Sequence, residues 1–146
     1  MTIATSRDRV PDHTAESVNH AIEQETLARL RSYAQQRERI AGRLKELDAE
    51  WDIERAIEAN ASTIAFIGVV LGYFVSPYWL LLPALVTAFL FQHAIQGWCP
   101  PVPVLRRLGF RTVYEIERER YALKVLRGDF VDAQNSPERA FAAVRL

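Results

Sequence analysis

The sequence predicts an all-α membrane protein, in which a two-helix transmembrane hairpin lies between a long amphipathic N-terminal helix and shorter C-terminal helices. Asp, Glu, Lys and Arg make up 25% of the 146 residues, yet none of them occurs from Ala59 to Leu105. The apolar residues of this run cover every side of a helix, so no polar face is left for water. We therefore expect the run to lie in a lipid bilayer.

Ser76-Pro77 divides the run into two spans, because proline lacks the amide that a continuing helix needs. The first span, at about residues 59–75, is about 25 Å long as a helix, and the second, at about residues 77–98, is about 33 Å long. The hydrocarbon core of a bilayer is about 30 Å thick. Residue types that anchor spans at the membrane surface flank both helices, and these anchors are Tyr73, Tyr78, Trp79, Trp98, Arg106 and Arg107.

We expect four regions along the chain. Residues 1–13 form a disordered leader, and residues 14–57 form a cytoplasmic helix that partly resembles a coiled coil. Residues 58–99 form the transmembrane hairpin, and residues 100–146 form cytoplasmic helices. In this last region a helix begins at Thr112 and Gly128 can end it.

An apolar seam follows the N-terminal helix at steps of mostly three and four residues, interrupted at Arg37. Its members are Leu30, Tyr33, Ile40, Leu44, Leu47 and Trp51. The seam either packs on another part of the same chain or forms a coiled coil with a second copy. Both alternatives stay open at the level of sequence.

Basic residues indicate the orientation of the two spans. The connection around Ser76-Pro77 has none, whereas they occur on both outer flanks, as Arg43, Lys45, Arg55, Arg106, Arg107 and Arg111. Cytoplasmic loops carry the excess of Lys and Arg. We therefore expect both termini in the cytoplasm.

Composition excludes several classes of function. The 18 basic and 18 acidic residues are interleaved and cancel, so there is no electrostatic footprint for nucleic acid. The single cysteine excludes an internal disulfide and a multi-cysteine metal site. No phosphate-binding loop, nucleophile elbow or HExxH motif is present, so we expect no catalytic constellation, no cofactor and no metal.

Small residues give the first span a flat face for close helix packing. Gly68, Gly72 and Ser76 follow one another at intervals of four residues. The partner of this face is either the second span, through Ala84 and Ala88, or another copy of the chain. Spacing alone does not decide between them.

Polar and reactive groups gather at the end of the second span. In a continuous helix Gln92, Gln96 and Cys99 share one stripe, and His93 lies beside it. Polar groups inside a span usually face protein or a water-filled cavity. The default interpretation is that Cys99 is a small packing residue. The alternative is a reactive thiol assisted by His93 or Arg106.

The string Gly97-Trp-Cys-Pro100, followed by Leu105-Arg-Arg-Leu-Gly109, resembles the signature of the YgaP-like transmembrane domain family of small bacterial inner-membrane proteins. The approach to the first span, Glu50-Trp-Asp-Ile-Glu-Arg-Ala-Ile-Glu-Ala-Asn-Ala61, is also similar. The resemblance covers about Glu50 to Thr112 and implies a helical hairpin that can dimerise, in a domain of largely unknown function. Some members are fused to a rhodanese sulfurtransferase domain, whose pattern this chain lacks, so that activity is not implied.

Three functions are consistent with these observations. The leading hypothesis is a non-enzymatic inner-membrane module that self-associates, as a dimer, or binds a membrane or cytoplasmic protein partner. The second is sulfur or thiol handling, or passage of a small sulfur species, centred on Cys99. The third is a holin-like pore former, because small two-span proteins with charged tails can oligomerise.

Overall fold

The computed structural model describes Thr5, residues 7–131, Ala133 and residues 136–144. Every regular element in these residues is helical, and no strand occurs among them. Short 3₁₀ turns lie at Pro11–His13, Arg37–Arg39 and Pro77–Leu80. The α-helices in chain order are α1 (Glu16–Gln35), α2 (Ile40–Ala49), α3 (Ile53–Phe74), α4 (Leu81–Gln96), α5 (Val102–Arg107), α6 (Val113–Arg127) and α7 (Pro137–Val144).

The chain divides into two compact units. Unit 1 consists of Met1–His20 and Trp51–Thr112, and unit 2 consists of Ala21–Glu50 and Val113–Leu146. Unit 1 therefore contains the whole run without charged side chains. The remaining polar helices belong to unit 2 and to the start of unit 1.

Unit 1 contains two helices that are long and apolar enough to cross a membrane. α3 starts at Asp52, whose carboxylate accepts a hydrogen bond from the amide of Arg55 at 2.9 Å and so caps the helix. It ends just before Ser76-Pro77, and it packs against the turn at Pro77–Leu80 and against α4.

The outer surfaces of these two helices are apolar and exposed. Only 17% and 6% of the residues in their most apolar stretches are buried within the molecule. Large side chains such as Phe66, Leu81 and Phe91 are mostly exposed, as are Tyr73 and Tyr78 near the Pro77 turn. A core helix of a water-soluble domain would have most of these residues covered, and exposed apolar surfaces of this size mark contact with a membrane or a partner.

The small-residue face of α3 has a partner within the chain. A Cβ at Gly68 would lie 2.5 Å from Pro83 Cδ, and a Cβ at Gly72 would lie 2.5 Å from Leu80 Cδ2. Of the two partners that the sequence left open, this contact is with the start of the second span, while Ala84 and Ala88 are exposed. The connecting turn brings Leu80 and Pro83 over the glycines instead. Ser76 is half-buried and precedes the turn, so it does not extend the face along a helix.

The sequence predicts one helix from Thr14 to about Ile57, and the structure interrupts it twice. Gln36 leaves the helical conformation, with φ −129° and ψ 62°, next to Arg37 where the apolar seam is also interrupted. The second interruption comes at Glu50–Asp52, where Glu50 and Asp52 are extended. Helix propensity alone does not predict this break, because the break depends on Asp52 acting as the cap of α3.

The apolar seam packs inside unit 2 against α6. One buried cluster unites α1, α2 and α6, and it contains Leu30, Tyr33, Ile40, Leu44, Leu47, Ile116, Leu123 and Leu126. Trp51 lies outside this cluster: it is half exposed, and the Arg55 guanidinium lies 4.5 Å from its ring centroid. Of the two alternatives left open above, packing within the chain is the one observed for the other seam residues.

A buried carboxylate fastens three helices of unit 2, α1, α2 and α6. Glu119 on α6 has no exposed side-chain surface, and its Oε1 accepts a hydrogen bond from Arg43 Nε on α2 at 2.9 Å. Arg29 Nε on α1 lies 3.4 Å from the same carboxylate oxygen. Removing one partner of a buried ion pair costs about 3–5 kcal/mol. The three charges are therefore structural.

The ends of the chain differ in part from the sequence prediction. Within the expected leader, Pro11–His13 forms a 3₁₀ turn and Val10 is buried, whereas residues 1–4 and 6 lie outside the described residues. α6 starts directly after Thr112 and ends at Gly128, whose φ of 94° suits glycine, as predicted. α7 is described from Pro137 to Val144, and residues 145 and 146 lie outside the described residues.

Candidate functional site

The candidate site begins where α4 ends. Gly97 has φ 77° and its amide donates to the His93 carbonyl at 2.7 Å, which closes the helix in the left-handed conformation. A Cβ at Gly97 would lie 2.2 Å from the carbonyl oxygen of Arg9. Glycine is therefore required both for the turn and for the approach of the N-terminal segment.

This turn corrects the predicted stripe of Gln92, Gln96 and Cys99. Because α4 stops at Gln96, Cys99 is not on the same helical face as the two amides. The half-buried side chains of Gln92 and Gln96 contact each other, with 3.4 Å between Nε2 and Oε1. Of the four residues in the predicted thiol site, the structure brings His93 and Cys99 together.

His93 is held by a carboxylate, which an arginine binds in turn. The imidazole residue is 3% exposed, and its Nε2 lies 2.6 Å from Glu54 Oε2 on α3. The other oxygen of Glu54 accepts a hydrogen bond from Arg9 Nη2 at 2.9 Å. Arg9 Nη1 also donates to the carbonyl of Ala94 at 2.9 Å. The N-terminal segment, α3 and α4 thus meet at one polar cluster.

The thiol of Cys99 lies beside this imidazole. Cys99 is 2% exposed and belongs to the buried cluster of Val10, Ile53, Ile57 and Val102. Its thiol interacts with the His93 ring. Since Glu54 occupies Nε2, the nitrogen left for the thiol is Nδ1. The Nδ1 atom of His93 is buried, and among the residues that the structure describes it has no hydrogen-bond partner of regular geometry.

A carboxylate, an imidazole and a thiol in this order can activate a nucleophile. The carboxylate orients the ring, the ring accepts the thiol proton, and the resulting thiolate is the reactive form of cysteine. Sequence reasoning found His93 and Cys99 but missed Glu54 and Arg9. Glu54 lies one helical turn before the charge-free run, a position that could have signalled it, whereas no local signal marks Arg9.

The other residues predicted at this end of the spans have structural contacts. Arg106 was expected at the membrane surface or as a helper of the thiol, but it is buried, because its guanidinium donates to the Phe110 carbonyl at 3.1 Å and to Asn19 Oδ1 at 2.8 Å. Arg107 is exposed. Trp98 is half-buried beside Phe89, with 6.5 Å between ring centroids. Thus only Arg107 is freely exposed in the manner of an anchor.

Over the residues that the structure describes, no group of three or more His, Cys, Asp or Glu side chains is arranged to hold a metal ion.

Comparison of the chain with protein-family models, with curated proteins and with solved structures finds no match.

Gly97→Ala should destabilise unit 1 and release the N-terminal segment, because the added methyl group would overlap the Arg9 carbonyl. Gly109→Ala is the matched control, since Gly109 also has a positive φ, of 91°, but open space around its Cβ position. We expect a cost of about 1 kcal/mol for Gly109→Ala and of about 3 kcal/mol or more for Gly97→Ala. Thermal unfolding of the purified chain and tryptic cleavage after Arg9 measure the two effects, and equal behaviour of the two variants would contradict the contact.

Proposed function

We propose that this chain is an integral protein of the bacterial inner membrane, which crosses the bilayer twice as a helical hairpin and holds a thiol site at the cytoplasmic end of its spans. The exposed apolar surfaces of α3 and α4 support the spans. Basic residues beyond both ends of the charge-free run support cytoplasmic termini. The resemblance of Gly97-Trp-Cys-Pro100 to the YgaP-like transmembrane signature supports the inner membrane and the helical hairpin.

The topology is tested with reporter fusions to each terminus. A reporter that is active only in the cytoplasm should be active at both ends, and one that is active only in the periplasm should be active when inserted after Ser76. Matched insertions into unit 2, for example after Gly128, should behave like the termini. A periplasmic signal from either terminus would refute the proposed orientation.

The arrangement of Glu54, His93 and Cys99 carries the proposed function. Glu54 orients the imidazole through the 2.6 Å contact at Nε2, which leaves Nδ1 to take the thiol proton. The thiolate then attacks one sulfur of a small disulfide or persulfide: an S–S bond to Cys99 forms, the original S–S bond breaks, and the displaced thiolate takes the proton held on His93. Two features favour this over the packing role of Cys99: a packing cysteine needs no imidazole beside it, and a buried imidazole nitrogen without a regular bond is costly.

Alkylation of the sole cysteine tests the activation directly, because Cys99 is the only thiol that N-ethylmaleimide can label and Cys99→Ser gives the background from amines. The quantity measured is the alkylation rate at about pH 7 divided by the rate at about pH 10. The exposure of the thiol affects both rates and cancels in this ratio, so the ratio reports how strongly the thiol is activated at about pH 7. His93→Ala and Glu54→Gln should lower this ratio by about tenfold. Gln92→Ala, one residue from His93, is the control and should leave it unchanged. An unchanged ratio in His93→Ala would refute thiol activation.

A second candidate function is self-association, as a dimer. The face of Gly68 and Gly72 does not support it, because Pro83 and Leu80 of the same chain occupy that face. A different observation favours it: an open apolar groove of about 420 Å³ lies between α1 and α6 in unit 2, and Val125 at its edge is 63% exposed. The groove is lined by Leu27, Leu30, Arg31, Ala34, Ala122, Val125 and Leu126.

Cross-linking in native membranes distinguishes this candidate. A dimer that forms through the groove should be lost in Val125→Glu and kept in Val131→Glu, since Val131 is an exposed valine of unit 2 outside the groove lining. A wild-type chain that cross-links only as a monomer would exclude the dimer.

A further inference from the structure

We propose that residues 7–13 form a strap that covers Cys99 and controls its reaction, and that Arg9 is a positioning residue for the thiol site. This inference rests on the proposed thiol function and adds its regulation. It follows from how the strap, the polar cluster and the thiol share contacts in unit 1.

The strap lies directly over the turn that precedes Cys99. The Arg9 main chain is so close to Gly97 that a Cβ there would lie 2.2 Å from its carbonyl oxygen. Val10, which is 1% exposed, is in the same buried cluster as Cys99. Because Cys99 is itself 2% exposed, a reagent reaches the thiol only when its cover moves.

The far end of the strap is anchored by hydrogen bonds. The Thr14 hydroxyl donates to the Val10 carbonyl at 2.8 Å, and Asn19 Nδ2 donates to the Pro11 carbonyl at 2.9 Å. The near end, at Arg7 and Asp8, is exposed. The strap can therefore open from its near end while it stays attached to α1.

The contacts that close the strap are weak enough to open in the folded protein. Arg9 and Glu54 each keep about a quarter of their side-chain surface exposed, at 24% and 26%. Ion pairs with such access to solvent contribute about 1 kcal/mol or less. Segments held by few buried contacts open locally far more often than the whole fold unfolds. Opening and closing of the strap is therefore an equilibrium that gates the thiol.

Arg9 has a second role because it also holds Glu54. The charged and titratable groups around the thiol are Glu54 from α3, His93 from α4 and Arg9 from the strap. Arg106 from α5 is directed to Phe110 and Asn19. Loss of Arg9 should thus expose the thiol and also loosen the carboxylate that orients the imidazole.

The test measures N-ethylmaleimide alkylation of Cys99 in the full chain in native membranes. Arg9→Ala should raise the rate at about pH 10 by up to about fivefold, since the strap opens more often. It should also lower the ratio of the rates at about pH 7 and about pH 10, which a merely structural role would leave unchanged. Arg7→Ala is the matched control, because Arg7 lies in the same segment and is exposed, and it should match the wild type.

Val10→Ala distinguishes the covering of Cys99 by the strap from the positioning of Glu54 by Arg9. It weakens the strap but keeps Arg9, so the rate at about pH 10 should rise while the ratio stays that of the wild type. A wild-type rate in both Arg9→Ala and Val10→Ala overturns the strap, even where His93→Ala lowers the ratio. A ratio that is insensitive to His93→Ala refutes the thiol function instead, whatever the rates of the strap variants.

Discussion

The arrangement of the segments in unit 1 depends on the two contacts of the Glu54 carboxylate. Its two oxygens bind different partners, His93 on α4 and Arg9 in the N-terminal segment, and Glu54 itself stands in the first turn of α3. α3 and α4 are otherwise joined by apolar contacts and by glycine packing, which fix distance but little else. A charge-assisted pair fixes direction as well. This one carboxylate thus sets the rotation of α4 about its own axis and the position of the N-terminal segment.

The apolar run concentrates this polarity at one end of the helices. Since no Asp, Glu, Lys or Arg occurs from Ala59 to Leu105, the charged partners in this cluster, Arg9 and Glu54, come from beyond the run. In unit 2 the corresponding carboxylate is that of Glu119, which is enclosed by arginines from two other helices. In both units a buried or half-buried glutamate joins segments that are far apart in sequence.

Sequence patterns predicted what is local and missed what is distant. The charge-free run, the break at Ser76-Pro77 and the end of α6 at Gly128 are one-dimensional signals, and each is found as an element boundary or an apolar helix. The partners Glu54 and Arg9 are 39 and 85 positions from the residues that they contact, and no periodicity records such a distance. The position of Cys99 was missed although Gly97 is a typical helix terminator.

The close contact between Arg9 and Gly97 affects the order in which the segments of unit 1 assemble. The N-terminal segment leaves the ribosome long before the turn that receives it, since Arg9 precedes Ala94, to which it donates a hydrogen bond, by 85 positions. The segment must wait until both apolar helices have been made and paired. Its docking therefore follows the pairing of α3 and α4, and until then Val10 cannot cover Cys99.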